Sequence, residues 1–200
     1  MYIVTLIGGI ASGKSAASRF FSQNGAGVVD CDEISRNLTA AGGDAVPIIA
    51  KHFGSRFIGE DGSMDRPSMR HLIFSDDSAR MLLESLIHPM VRDRVQDRLG
   101  LLANVPYALV EVPVLRSASF WLTSVQRVLL VRCDKSLQRE RLITGRGFLP
   151  DEADAVLGVQ ERENFYEDYD DVIDNNYSLK LLESNVRNYH ETYCRYAKED

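Results

Sequence analysis

Cysteine is scarce in this chain: Cys31, Cys133 and Cys194 are the only three in 200 residues. No C-x-x-C pair occurs, so neither a zinc knuckle nor a disulfide framework is suggested, and reduced thiols are expected. Basic charge is short as well. Lysine and arginine total 23 against 29 aspartates and glutamates, giving a net charge of −6. A mildly acidic chain is a poor match for general nucleic-acid binding, which leans on basic surface. An anionic small ligand is still compatible, because a pocket can be locally positive on an acidic protein. Long apolar runs are missing too. No window reaches the roughly 18 apolar residues of a bilayer span. The N-terminal YIVTLI has no basic stretch before it and is too short for a secretory signal. The four histidines, His52, His71, His88 and His190, are scattered and suggest no metal site. A monomeric cytoplasmic protein, bound to neither membrane nor nucleic acid, is expected.

Hydrophobic content of 44% and charged content of 26% are ordinary globular usage, so a buried core is expected. The length suits one domain, or a core with one sizeable insertion. Five short, near-continuous apolar runs read as strands covered on both faces, as in a parallel sheet. They are Tyr2–Ile7, Gly27–Asp30, Tyr107–Val112, Arg127–Arg132 and Asp171–Asp174. Helical periodicity falls at Lys14–Ser22, Lys135–Thr144, Asp151–Glu163 and Leu179–Ala197. The alternation predicts an α/β fold with right-handed crossovers. Residues 31–106 break the rhythm: they hold no convincing strand, but helical stretches at Ala45–Phe53, Arg66–Phe74 and Ala79–Leu102. Pro89 is expected to break the last of these or to start a new helix. The predicted organisation is a core of residues 1–31 and 106–200, with a helical insertion at 32–105 suited to substrate recognition.

Residues 8–15 read GGIASGKS, matching G-x-x-x-x-G-K-[ST] at Gly8, Gly13, Lys14 and Ser15. The pattern cradles phosphate only between a strand and a helix, and here it has both. Backbone N–H groups of Gly8, Gly9, Ile10, Ala11, Ser12, Gly13, Lys14, Ser15 and Ala16 would turn around phosphate oxygens, helped by the start of the next helix. Lys14 would reach the β- and γ-phosphates of ATP, and the Ser15 hydroxyl would bind Mg²⁺.

In VVDCDEI, Asp30 and Asp32 sit at the carboxyl end of the second strand, where open α/β sheets bind ligands. Asp32 can act as a base toward an attacking hydroxyl, or one of the pair can be a helix N-cap and the other solvated. Asp30 reads as structural. Glu111, near the end of the third strand, is either a partner for Mg²⁺ or a substrate-side or structural carboxylate. The stretch TGRGFLP, Thr144–Pro150, joins two helices and fits a lid at about 144–162 that brings Arg146 onto the phosphates. A surface loop would look the same, and Arg139 and Arg141 compete for that role. His88, before Pro89, is either a structural histidine or a substrate contact.

Taken in order, these motifs resemble the dephospho-coenzyme A kinase family. The resemblance includes GGIASGKS, VVDCDEISR, HFG at 52–54, DGSMDR at 61–66, MRHLIF at 69–74 and LIHPMV at 86–91. It continues through PYALVEVPVL at 106–115, RVLLV at 127–131 and DDVIDNN at 170–176. It implies transfer of the γ-phosphoryl of ATP to the 3′-hydroxyl of dephospho-CoA, the last step of coenzyme A synthesis. It also implies a P-loop kinase three-layer sandwich: a five-stranded parallel sheet, a helical dephospho-CoA-binding insertion and a short lid. Asp32 takes the place of the family's proposed base, with Lys14 and Arg146 as further catalytic residues. Arg66, Arg70 and His88 are the insertion side chains expected on the substrate. The sequence departs from its relatives at PVLRSAS, which lacks an acid, at Gly145-Arg146-Gly147, where relatives often carry Arg-Asp, and at Tyr177, where glycine is frequent. Two rival readings are another small-molecule P-loop kinase and a nucleotide-binding switch. The absence of a guanine-reading N-K-x-D argues against a GTPase.

Overall fold

Aliphatic runs covered on both faces form the strands, and the five strands of the sheet pair in parallel among the described residues. The computed structural model describes residues 1–112, 125–162 and 169–199. PVLRSAS at 113–119 lies outside them, as do residues 163–168. β1 (Ile3–Gly8) is central, between β3 (Ala108–Glu111) and β4 (Arg127–Arg132). β2 (Gly27–Asp30) lies outside β3, and β5 (Asp171–Asp174) outside β4, for the order β2-β3-β1-β4-β5. The segment after β1 therefore emerges at the middle of the sheet's carboxyl edge, the usual ligand position in an open α/β sheet.

Two compact units divide the chain: residues 1–30 with 102–200, and residues 31–101. In the first, Val4 and Leu6 of β1 share a core with Ala17, Phe20 and Phe21 of α1 (Lys14–Gln23). Leu182, Val186 and Tyr193 of α8 (Leu179–Glu199) complete it, at spacings of four and seven that put them on one helical face. Tyr193 is fully buried; its hydroxyl donates to Asp171 Oδ2 at 2.9 Å, and Arg127 donates to both oxygens of the same carboxylate. Burying a side chain of this size stabilises the fold by about 1.5–3 kcal/mol.

α6 (Lys135–Arg146) and α7 (Pro150–Arg162) form a hairpin. The sequence ended the helix at Thr144 and placed Gly145 and Arg146 in the connection, but α6 continues through both. Gly147, at φ 71°, ends the helix, and the N–H groups of Gly147 and Phe148 both donate to the Leu142 carbonyl. Phe148 packs against Leu142, Ala153 and Leu157, so the short connection is anchored from inside.

The second unit is helical: α2 (Cys31–Leu38), α3 (Val46–Phe53), a 3₁₀ turn at Ser55–Phe57, α4 (Arg66–Ser75) and α5 (Asp77–Leu101). Pro89 does not break α5. It removes the N–H that would bond the Ser85 carbonyl. Ser85 and Pro89 are both exposed, so water can take that carbonyl. Leu83, Ile87, Val91, Val95 and Leu99 are buried at intervals of four on either side of the proline, and this stripe keeps the helix continuous.

Candidate active site

Residues 9–13 wrap the amino end of α1. The Ser12 N–H donates to the Gly9 carbonyl at 3.1 Å, closing a turn with Ala11 at φ 56°. Gly13 follows at φ 99°, where a β-carbon would lie 2.0 Å from Asn175 Nδ2. Both the dihedral and the space require glycine there. The first turn of α1 holds no acidic residue, so no side chain of the helix itself neutralises its N-terminal partial positive charge. The Ser12 hydroxyl is buried without a hydrogen-bond partner among the described residues. A loop with free positive character and an orphaned buried hydroxyl fits an anionic group.

Lys14 and Ser15 meet on one carboxylate. Ser15 Oγ donates to Glu111 Oε1 at 3.1 Å, and Lys14 Nζ lies 3.7 Å from the same oxygen. Lys14 also donates to the Val112 carbonyl at 2.8 Å. Glu111 is 6% exposed, which a carboxylate tolerates only with such partners. Parallel pairing of β1 with β3 sets this meeting: Leu6 registers with Glu111, at the same edge as the loop.

Four other side chains hold the loop's backbone. Asn175, just after β5, donates to the Ser12 carbonyl at 2.7 Å. Arg141 of α6 donates to the carbonyls of Ala11 and Ser12 at 3.3 Å each, and to that of Asn175 at 3.0 Å. Gln138 of α6 donates to the Ile10 carbonyl, and Gln160 of α7 accepts from the Ile10 N–H. The three lid arginines thus differ. Arg141 braces loop carbonyls, Arg139 makes a two-bond ion pair with Asp154, and Arg146 stands exposed on the last turn of α6. Sequence reasoning missed Gln138 and Gln160. The available signal was a glutamine at 138 one turn before Leu142, a polar residue on a helix's buried side.

The DNN stretch also finds a purpose. Asp174 pairs with Arg132, and Asn176 exchanges hydrogen bonds with Asp134 at the start of α6. Asp134 and Asn176 thereby join the amino end of α6 to the end of β5. Cys133, buried beside Arg141, has its thiol pKa pushed up by burial, with Arg141 opposing.

In the second unit, Asp32 is the second residue of α2, which begins directly after β2. Asp32, Arg36, Arg66 and Arg70 form one charged neighbourhood. Desolvation holds the Arg66 pKa below its usual value; Arg36 and Arg70 add to this, and Asp32 opposes it. Arg36, absent from the sequence expectations, lies one turn from Asp32 on α2. Arg66 also donates to Thr39 Oγ1, tying α4 to the end of α2. Asp65 caps α4 by accepting from the Ser68 N–H at 3.1 Å. His88, half-buried on α5, has its pKa lowered by burial against a smaller opposite effect of Glu84. It is not among the groups that shift Arg66.

A family model of dephospho-CoA kinases matches residues 2–180. A dephospho-CoA kinase of Nitrosospira multiformis is 41% identical over 199 residues, 99% of each chain. The crystal structure of TT1252 from Thermus thermophilus superposes with a TM-score of 0.79 at 25% identity, covering 96% of this chain and 97% of that one. A Campylobacter jejuni dephospho-CoA kinase shares the fold, with a TM-score of 0.61 at 19% identity over 96% of both chains. With a glycine loop that places Lys14 and Ser15 on one buried acid, and with relatives matched end to end, the chain belongs to the dephospho-CoA kinase family of ATP-dependent phosphotransferases.

Proposed function

We propose that residues 8–16 hold the triphosphate of ATP while Asp32 activates the 3′-hydroxyl of dephospho-CoA. The observation that carries this reading is the convergence of Lys14 and Ser15 on Glu111 at the mouth of the loop. Lys14, released from the Val112 carbonyl, reaches the β- and γ-phosphates and spreads the charge that develops on transfer. The Ser15 hydroxyl and the Glu111 carboxylate are hard oxygen donors suited to Mg²⁺. Bound there, the ion would neutralise phosphate charge. Asp32 is exposed and two residues past the end of β2, so a bulky acceptor can approach it. It accepts the hydroxyl proton as the bond to phosphorus forms.

The helical unit binds dephospho-CoA. Arg66 and Arg70, with Arg36 beside them, offer positive charge to its phosphates, and His88 lines the same unit. Arg146, on the hairpin of α6 and α7, closes over the transferred phosphoryl group. The protein works as a cytoplasmic monomer. Among the described residues, no helix is long and apolar enough to cross a membrane.

The test is ADP release from ATP and Mg²⁺, with and without dephospho-CoA, with the product weighed by mass spectrometry. ADP that appears only with dephospho-CoA, together with a product one phosphate heavier at the 3′ position, is expected. ADP formed equally without the acceptor overturns the assignment of the acceptor.

A further inference from the structure

We propose that Gln138 and Gln160 are positioning residues for phosphoryl transfer: Gln138 fixes the Ile10–Ala11 peptide so that the Ala11 N–H is turned into the phosphate cradle, and Gln160 fixes the preceding Gly9–Ile10 peptide. The proposal rests on the reading that the loop of residues 8–16 holds ATP, and narrows it by removing the Ile10 N–H from the phosphate donors.

The two peptide groups that flank the Ile10 α-carbon are each held, by different helices. Gln160 Oε1, on α7, accepts from the Ile10 N–H at 2.7 Å. Gln138 Nε2, on α6, donates to the Ile10 carbonyl at 2.9 Å. Gln138 is only 5% exposed, so its carboxamide needs protein partners, and it finds one in the loop.

The turn itself explains why a clamp is required. Gly9 and Ser12 are joined by a hydrogen bond, and of the two residues between them only Ala11 has positive φ. That combination is a type II turn, which differs from type I by a flip of its central peptide. The flipped form favours glycine at the third position, and this chain has alanine there. Left alone, the Ile10–Ala11 peptide would be drawn to the other orientation. Gln138 opposes this by holding the carbonyl of the flipped peptide, and Arg141 adds a bond to the Ala11 carbonyl at 3.3 Å. In a trans peptide the C=O and N–H point in opposite directions. With the Ile10 carbonyl on Gln138, the Ala11 N–H must point away from α6.

Gln160 does the complementary task. It satisfies the Ile10 N–H within the protein, so that donor is withdrawn from the phosphate and the cradle begins at Ala11. Gly9 makes room for both carboxamides: a β-carbon there would sit 2.6 Å from Gln160 Nε2 and 2.7 Å from Gln138 Nε2. Because Gln160 rides on α7, the loop holds this shape while α7 is docked against it.

The test uses Gln138→Met and Gln160→Met, which keep bulk and remove the hydrogen bonds. Each is measured alone, and Gln138→Met also with Ala11→Gly. Readouts are KM for ATP and for dephospho-CoA, kcat, ATP affinity by calorimetry, and the thermal midpoint. Each methionine variant is expected to weaken ATP binding by about tenfold, the scale of one lost hydrogen bond, with KM for dephospho-CoA unchanged. Adding Ala11→Gly to Gln138→Met is expected to restore most of the loss, because glycine takes the positive φ unaided. A folded Gln138→Met with wild-type ATP affinity overturns the proposal, as does a loss that Ala11→Gly leaves untouched. If Gln138→Met does not fold, Gly9→Ala carries the test, because its methyl group displaces both carboxamides. Wild-type ATP affinity in that variant overturns the proposal equally. Failure of the underlying reading is distinguishable, since it would show as no ATP binding by the wild-type protein.

Discussion

Asn175 Nδ2 donates to the Ser12 carbonyl oxygen at 2.7 Å, joining the end of β5 to the glycine loop across 163 residues of chain. The same residue's N–H donates to the Arg132 carbonyl at 2.8 Å, so Asn175 ties the loop to β4 as well as β5. Replacing it by leucine leaves the Ser12 carbonyl without this partner. Asn175→Leu is expected to cost about 1–3 kcal/mol of stability and to weaken ATP binding. Urea unfolding and an ATP titration check the two effects separately.

Gly13 and Gly9 are expected to respond differently to a methyl group. Gly13→Ala meets a positive φ, costing about 1–3 kcal/mol, as well as a contact at 2.0 Å with the buried Asn175 amide. Gly9→Ala meets only the ends of two glutamine side chains, which can move aside. Thermal melts are expected to show a larger loss for Gly13→Ala than for Gly9→Ala, where the displaced carboxamides give up their bonds to Ile10 but no backbone is strained. Equal losses would contradict this account of the loop.

Asp32→Asn keeps the size of the proposed base and removes its charge. It is expected to lower kcat by roughly 10²–10⁴-fold while ATP binding persists. Single-turnover kinetics with preformed enzyme–ATP complex isolate the chemical step. A near-normal rate removes Asp32 from the base role.

Glu111→Gln retains an acceptor for the Ser15 hydroxyl but loses the charge that faces Lys14. If Glu111 supports the metal from this position, the Mg²⁺ concentration for half-maximal activity should rise by roughly 10–100-fold. A titration of Mg²⁺ at saturating ATP measures it. An unchanged midpoint assigns Glu111 to holding Lys14 and Ser15 alone.

The pH dependence of stability follows from His190. Burial lowers its pKa below the usual 6.5, with Glu191 opposing. The ring lies between the Tyr107 hydroxyl, 3.0 Å from Nδ1, and Cys194 Sγ, 3.4 Å from Nε2. Above pH 6.5 the ring is neutral in both folded and unfolded chains and has no effect. As pH falls below that value, the unfolded chain takes the proton first, so stability declines until the folded pKa is reached. His88, lowered in the same direction, adds to the slope. Denaturant unfolding is expected to show level stability from pH 7.5 to about 6.5 and a loss from there to pH 5.5, with a shallower loss in His190→Gln.

The strands and the glycine loop were legible because their signals are local. Val28-Val29 and Leu129-Leu130 declare strands covered on both faces, and GGIASGKS carries its own spacing. Pro89 misled because the local rule ignores the buried stripe from Leu83 to Leu99, which outweighs one missing hydrogen bond. At Gly145 and Arg146, the expected connection proved to be the end of α6, stopped by Gly147. Gln138, Gln160 and Arg36 escaped for a different reason. The two glutamines meet Ile10 from 128 and 150 residues away, and no spacing rule links them. Arg36 gains meaning only when α4 brings Arg66 and Arg70 to it.

The bonds that shape the phosphate loop also impose an order on its assembly. The loop leaves the ribosome long before its supports: Gln138 and Arg141, then Gln160, then Asn175. At 5–20 residues per second, the interval is roughly ten to thirty seconds. A nascent chain halted short of β5 carries the whole signature sequence yet lacks Asn175, which with Arg141 holds the Ser12 carbonyl. The fully braced form of the loop is therefore completed late in synthesis, once the residue that follows the fifth strand has emerged.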